Sequence, residues 1–270
     1  GKQTPSLNQL KVLLQRLGLP DERYYAIVSK NEMLISDLQT EIVSSNVFRD
    51  PQRGLPKIEE LEKIADPDDR PIRQFILRSK FLLGKIENGQ IVPYTNDEKL
   101  DMLFEAIRLT SPNFDIDAIC DGLYSVDEVK VINQIALIYS QLEQREKVID
   151  IYRQLLAYIE NHFRNTGQFG SLFSLVAFNY VRELDLVGRY TEAIEIAEIG
   201  WKACVQHKQY RMLPSIIAGI AECYHFLGED DKSKDYYLQA LYLCKAINDE
   251  ECLSTVLYEI KEYFGDDFSF

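Results

Sequence analysis

The chain has 270 residues, with 30 Lys and Arg against 43 Asp and Glu, for a net charge of −13. Hydrophobic residues make up 46% and charged residues 27%, a globular profile too apolar for disorder. No apolar run nears the ~18 residues of a membrane span, no secretory signal opens the chain, and so acidic a balance is a poor match for nucleic-acid phosphates. Glycine and proline total only 22 residues. That is below the usual share of roughly 12%, which predicts long helices joined by short turns.

The apolar period is 3.6 residues almost throughout. It predicts helices over 6–18, 21–47, 56–66, 69–85, 96–110, 127–142, 145–165, 171–187, 190–207, 211–227, 230–247 and 249–264. Ser6 and Asp21 are N-cap residues for the first two. Thr95 with Glu98, and Ser125 with Glu128, have the spacing of a capping box. Gly18, Gly188 and Gly228 are stops. Residues 86–96, with Asn88-Gly89 and Pro93, read as a turn or small hairpin between helices. Residues 111–125, with Pro112 and Gly122, are a second soft spot, and 48–56 is the better candidate boundary. The five cysteines (120, 204, 223, 244 and 252) include no CxxC and fall in helical segments, so reduced, buried thiols are expected. With no Asn-x-Ser/Thr sequon, this points to the cytosol.

The C-terminal half repeats itself. Three blocks starting near Val129, Ser174 and Pro214 align, 45 and 40 residues apart. Each places a smaller residue three before a larger one: Ala136 and Tyr139, Val181 and Leu184, Ala221 and Tyr224. A turn follows, then a second helix with Val148, Ala193 or Ser233 and, four later, Tyr152, Ala197 or Tyr237. This resembles the tetratricopeptide repeat, in which two antiparallel helices cross at small residues and aromatics fill the holes. Segments 69–85 and 96–110 look like a divergent repeat split by the 86–96 insertion, and 249–264 would close the stack as a cap. The expected fold is all-α, a right-handed solenoid of degenerate tetratricopeptide-like helix pairs, each buried by its neighbours.

In the tetratricopeptide pattern the first helix of each pair lines the concave side. The resemblance places Lys130, Asn133, Leu137 and Ser140 there in block one, and Phe178, Arg182 and Asp185, with Asn179 adjacent, in block two. Glu222 and His225 are the polar members in block three. Asn offers both a donor and an acceptor, which suits an extended peptide backbone.

Residues 1–20 resemble the last part of a lambda-repressor-like helix-turn-helix domain, through Gly1, Lys2, Pro5, Ser6, Leu7, Leu10, Leu13, Leu14, Leu17, Gly18 and Leu19. The recognition helix of that family lies upstream of this point, as if a segment had been removed. The expected organisation is a helix-turn-helix remnant (1–20), a linker helix (21–52), and a repeat domain with a capping helix (53–270). This order is similar to the Gram-positive peptide-sensing regulators of the Rgg, PlcR, NprR and PrgX group. The resemblance implies a cytoplasmic, homodimeric transcription regulator that binds a short signalling peptide in the groove and reaches DNA only through the missing head. It also implies that Asn133 and Asn179 hold the peptide backbone. A spare apolar stripe on 21–47 or 249–264 would serve as a dimer seam or as core. The alternative is a tetratricopeptide scaffold for a protein partner, with no DNA role.

No phosphate loop, GxSxG or HExxH motif occurs, and no nucleophile, base or metal set converges. Glu222 and His225 form a single ExxH pair, where a di-iron bundle needs two. No catalytic residue, metal or cofactor is therefore expected. Lys57, Lys63, Arg70, Arg73, Arg78, Lys80 and Lys85 make 53–85 locally basic, read as a solvated face. Phe268 and Phe270 are expected to be exposed.

Overall fold

The structure, a computed structural model, describes residues 5–18, 30–265 and 268. It divides into two compact units, Gly1–Glu143 and Gln144–Phe270. Among the described residues the regular structure is twelve α-helices, one 3-10 turn at Ile119–Asp121 and one two-stranded hairpin. The predicted stretch 21–29 and Phe270 lie outside the described residues.

The first unit holds α1 (Leu7–Arg16), α2 (Lys30–Val47), α3 (Pro51–Ile64), α4 (Arg70–Leu83), α5 (Asn96–Thr110) and α6 (Val126–Gln141). Capping boxes start three of them: Ser6 with Gln9, Thr95 with Glu98, and Ser125 with Glu128. The expected boundary at 48–56 is instead mostly helix. Asp50 caps α3 by accepting from the Arg53 N–H at 3.1 Å, and Pro51 sits where the missing N–H is harmless. Helices α2, α3 and α4 share a core of Ile35, Leu38, Ile42, Leu55, Ile58, Leu61, Ile72 and Phe75. Between α4 and α5, β1 (Lys85–Glu87) pairs antiparallel with β2 (Gln90–Val92), Ile86 opposite Ile91. Asn88 and Gly89 have φ of 52° and 77°, the two left-handed residues that a tight hairpin requires.

One buried charge ties α1 into this unit. Glu128 at the start of α6 is fully buried. Its carboxylate accepts from the Arg16 guanidinium at 2.5 and 3.3 Å, from Thr110 Oγ1 at 2.7 Å, from Ser111 Oγ at 2.6 Å and from the Ser125 N–H at 2.7 Å. Burial opposes its charge, but the Arg16 pairing and these donors hold its pKa below the usual carboxylate range.

The second unit holds α7 (Arg145–Phe163), α8 (Phe169–Leu186), α9 (Tyr190–Gln206), α10 (Leu213–Phe226), α11 (Asp230–Ile247) and α12 (Glu250–Phe264). Each packs on the next, and α10 also touches α8 and α12. The residues predicted at the crossings, Val181, Ala221, Val148, Ala193 and Ser233, are all buried. A Cβ on Gly200 would meet that of Ala177 at 3.1 Å, so α8 and α9 cross closely. Ser233 spends its hydroxyl on the Ala221 carbonyl at 2.7 Å. Two expectations fail. Cys120 is exposed, because it falls in the 3-10 turn and not in a helix. Phe268 is buried, its ring centroid 5.8 Å from that of Phe264.

The turns carry the periodicity. Left-handed residues follow helices at Glu143, Gly188, Lys208, Gly228 and Asn248, with φ from 55° to 76°. After four of them the next N–H reaches five residues back: Arg189 to Leu184 at 2.8 Å, Gln209 to Cys204 at 2.8 Å, Glu229 to Tyr224 at 2.9 Å, Asp249 to Cys244 at 3.0 Å. This closes the last turn of each helix. From 188 onward these residues recur every 20, so one helix pair spans 40 residues. A Cβ at Gly228 would meet nothing within 4 Å, so Gly228→Ala isolates the backbone term. It is expected to destabilise the second unit by about 1 kcal/mol in urea unfolding. An unchanged midpoint would contradict the left-handed cap.

Candidate functional site

Within the second unit the 40-residue period separates the first helices α8 and α10, and the predicted residues fall on α6 of the first unit and on α8 and α10 of the second. In the first unit the stripe is on α6. Lys130 is partly exposed, as are Leu137 and Ser140, while Asn133 is only 4% exposed. Asp127 lies 3.5 Å from Lys130 and 3.7 Å from Arg78 of α4, whose Nε also donates to Gln134 at 3.2 Å. Arg78 is thus no solvated surface residue: its side chain is 15% exposed. Burial lowers the pKa of both cations, opposed by Asp127. Asp127, despite its own burial, is held low by Lys130, Arg78 and Lys11.

In the second unit the stripe runs over α8, α10 and α12. Phe178 is partly exposed and carries the exposed Arg182, whose guanidinium carbon stands 5.9 Å from the ring centroid. Asn179 is 7% exposed, so little of its carboxamide reaches the surface. Asp185 accepts a weak hydrogen bond from Cys223 Sγ at 3.7 Å. Glu222 accepts from Tyr263 Oη of α12 at 2.6 Å. His225 stacks on Tyr263 at 4.5 Å and pairs through Nδ1 with Asp230 at 2.8 Å.

Helix α12 does more than close the stack. It supplies Tyr263 and also Glu259, which joins Asp185 and Glu222 in one electrostatic group. These two residues escaped the sequence reading, although a signal was present. Asp185, Glu222 and Glu259 recur at intervals of 37 residues. That is about one helical turn short of the 40-residue period, so the row crosses the three helices obliquely.

Burial, and then the charge of Glu222, push Asp185 up to about 6 and Glu259 up to about 7. Both groups bind protons more tightly folded than unfolded. Their stabilising effect is therefore fully present below the ordinary carboxylate range and is lost as pH rises through 6 and 7. Glu259→Gln is expected to raise the melting temperature at pH 8 and to flatten its fall between pH 5 and 8. Thermal melts of both proteins across that range check this, and a variant less stable than the parent at pH 8 would contradict it.

Among the described residues no group of three or more His, Cys, Asp and Glu is arranged to hold a metal ion, and no helix is long and apolar enough to cross a membrane. Comparison with solved structures finds the fold of the PlcR protein of Bacillus thuringiensis, determined in complex with the peptide PapR7 and DNA. The two share 16% identity and a TM-score of 0.66, over 94% of this chain and 85% of that one. Aspartyl phosphate phosphatase F of Bacillus subtilis follows at 12% identity and TM-score 0.62, covering 87% of this chain and 57% of that one. The apo form of RapI matches at 14% identity and TM-score 0.54, covering 87% and 75%. No curated protein sequence matches the chain. Residues 57–265 match the RNPP family C-terminal domain. The match takes in α4 to α12 whole, and with them both stripes, and so the chain belongs to the RNPP family.

Proposed function

We propose that this chain is the sensor portion of a cytoplasmic, homodimeric transcription regulator. It binds a short signalling peptide along the exposed faces of its first helices and controls a DNA-binding head upstream of residue 1. The observation that carries the reading is the coincidence of the RNPP C-terminal domain, residues 57–265, with stripes of mixed amide, charged and apolar side chains. The solved PlcR complex, with peptide and DNA bound to a chain of this fold, supports it.

Each side chain has a role in that reading. Phe178 and Leu137 offer apolar contact, and Lys130, Arg182, Asp185 and Glu222 select charge. Ser140 and His225 offer polar contact at the ends of the stripes. Asn133 and Asn179 meet backbone amides with the edge that reaches the surface. A peptide that favours one arrangement of the helix pairs shifts the population of the dimer, and the heads follow. The dimer reading rests on α2, where Met33, Leu34, Val43 and Val47 stand exposed, and on Phe48 just after it, 75% exposed. No catalytic residue, metal or cofactor has a part in this function. The scaffold reading, in which the same faces hold a protein partner and no DNA is involved, is favoured by the likeness to RapI and aspartyl phosphate phosphatase F.

Calorimetric titration with short synthetic peptides encoded near the gene separates the two. Saturable binding is expected, weakened about tenfold by Phe178→Ala or Lys130→Ala, which is about 1.4 kcal/mol for each. Absence of binding to every such peptide would favour the scaffold.

A further inference from the structure

The turn between α11 and α12 brings two cysteines together. Cys244 lies in the last turn of α11, and Cys252 is the third residue of α12. Asp249 binds both backbones. Its N–H donates to the Cys244 carbonyl at 3.0 Å, and its carboxylate accepts from the Cys252 N–H at 3.0 Å. One residue thus fixes the start of α12 against the end of α11. Side chains eight apart across a turn of this kind meet. At the equivalent turn twenty residues earlier, Lys232 Nζ stands 4.9 Å from the centroid of the Tyr224 ring. Here the same two positions hold thiols, both free, and the thiols share a hydrogen bond.

The two thiols differ in access. Cys244 is fully buried, and burial, then the contact with Cys252, pushes its pKa up, so it stays protonated. Cys252 is partly exposed, and its Sγ lies 3.6 Å from the Ser215 hydroxyl of α10. An oxidant therefore reaches Cys252 first, and Cys244 reacts only with what Cys252 becomes. The other buried thiols have different neighbours: Cys223 meets Asp185, and Cys204 meets Ser174.

We propose that Cys244 and Cys252 form a redox-modification site, a thiol pair that a peroxide converts to a disulfide joining the end of α11 to the start of α12. In the first step the Cys252 sulfur attacks a peroxide oxygen. The O–O bond breaks, leaving a sulfenic acid and one water. The Cys244 sulfur then attacks the Cys252 sulfur and gives up its proton. The S–O bond breaks and its oxygen leaves as a second water. The two thiols lose two electrons and two protons, and the peroxide is reduced to water. Sulfurs already in contact reach the bond length of about 2.05 Å by rotation of the side chains, and Cys252 leaves Ser215 as they do. In a reducing compartment the bond forms only under oxidant and reverses with thiols. It fastens α12, which holds Tyr263 against Glu222 of α10. The site stands whether or not a peptide binds.

The test uses the 270-residue chain. Hydrogen peroxide is added and quenched, free thiols are blocked with N-ethylmaleimide, and the chain is cut with trypsin. Trypsin cuts after Lys234, Lys245 and Lys261, so the two cysteines fall on separate fragments, 235–245 and 246–261, with one each. Mass spectrometry is expected to find these fragments joined, lighter by two hydrogens than their sum, and separated again by dithiothreitol. Exposed Cys120 gauges the dose. In Cys244→Ala the joined pair is expected to vanish and dimedone to capture Cys252 as the sulfenic acid. In Cys252→Ser it is expected to vanish with Cys244 left a thiol. Amide exchange over residues 250–264 is expected to slow in the oxidised parent, and equal rates would overturn the fastening of α12. The proposal is overturned if peroxide oxidises Cys120 while 244 and 252 remain thiols. It is equally overturned if either joins a different cysteine, or if Cys252 passes to the sulfinic acid with Cys244 still a thiol.

Discussion

The left-handed residue that ends successive helices sets the geometry on which the candidate site depends. At 188, 208, 228 and 248 the backbone turns at a positive φ, and the next helix begins two residues on after 188, 228 and 248 and five on after 208. A helix of this kind cannot bury its apolar stripe alone, so each packs on its neighbours, and a regular turn makes that packing regular. The consequence lies on the other face. Residues about 40 apart come side by side, and residues 37 apart form an oblique row. Arg182, Glu222, Asp185 and Glu259 owe their proximity to this spacing and to no local motif. The turn is tolerant in composition, since Glu143 and Lys208 adopt it as well as Gly188 and Gly228. That tolerance lets the period survive while the sequence drifts.

The two units solve their electrostatics differently. In the first, Glu128 is buried but fully satisfied by Arg16, Thr110, Ser111 and the start of its own helix. Breaking such a pair would leave an uncompensated charge, so α1 is fixed to α5 and α6. Beside it, Arg78 and Lys130 crowd a single carboxylate, Asp127, leaving an excess of positive charge. In the second unit the excess is negative, and Asp185 and Glu222 are met by the neutral donors Cys223 and Tyr263. Each unit thus carries its own local charge balance, positive beside α6 in the first and negative on α8, α10 and α12 in the second.

Much of the architecture was legible because it is local. Asn88-Gly89 dictates its hairpin, Ser125 and Glu128 dictate the start of α6, and the small residues at 181, 193 and 221 mark crossings. What failed was tertiary. Pro51 looked like a boundary and proved to be a helix start, because a proline is harmless at the first position. Arg78 looked solvated because its neighbours in sequence are charged, but Asp127 and Gln134, some fifty residues away, enclose it. Phe268 looked frayed because nothing in sequence shows Phe264 waiting for it. Of the predicted stripes, Asn133 and Asn179 are mostly buried, while Lys130, Leu137, Ser140, Phe178 and Arg182 reach the surface. Glu259 and Tyr263 were missed because α12 was read as a cap whose apolar stripe serves as a dimer seam or as core, and its polar residues were not considered.

The account stands or falls on which helix faces a peptide covers. The direct measurement is backbone amide hydrogen exchange by mass spectrometry, with and without a peptide that binds. The account predicts slowed exchange in α6, α8 and α10, at peptides spanning Lys130, Phe178 and Glu222, with α9 and α11 little changed. Protection confined to α9 and α11, or to α2, with α8 and α10 unchanged, would contradict it.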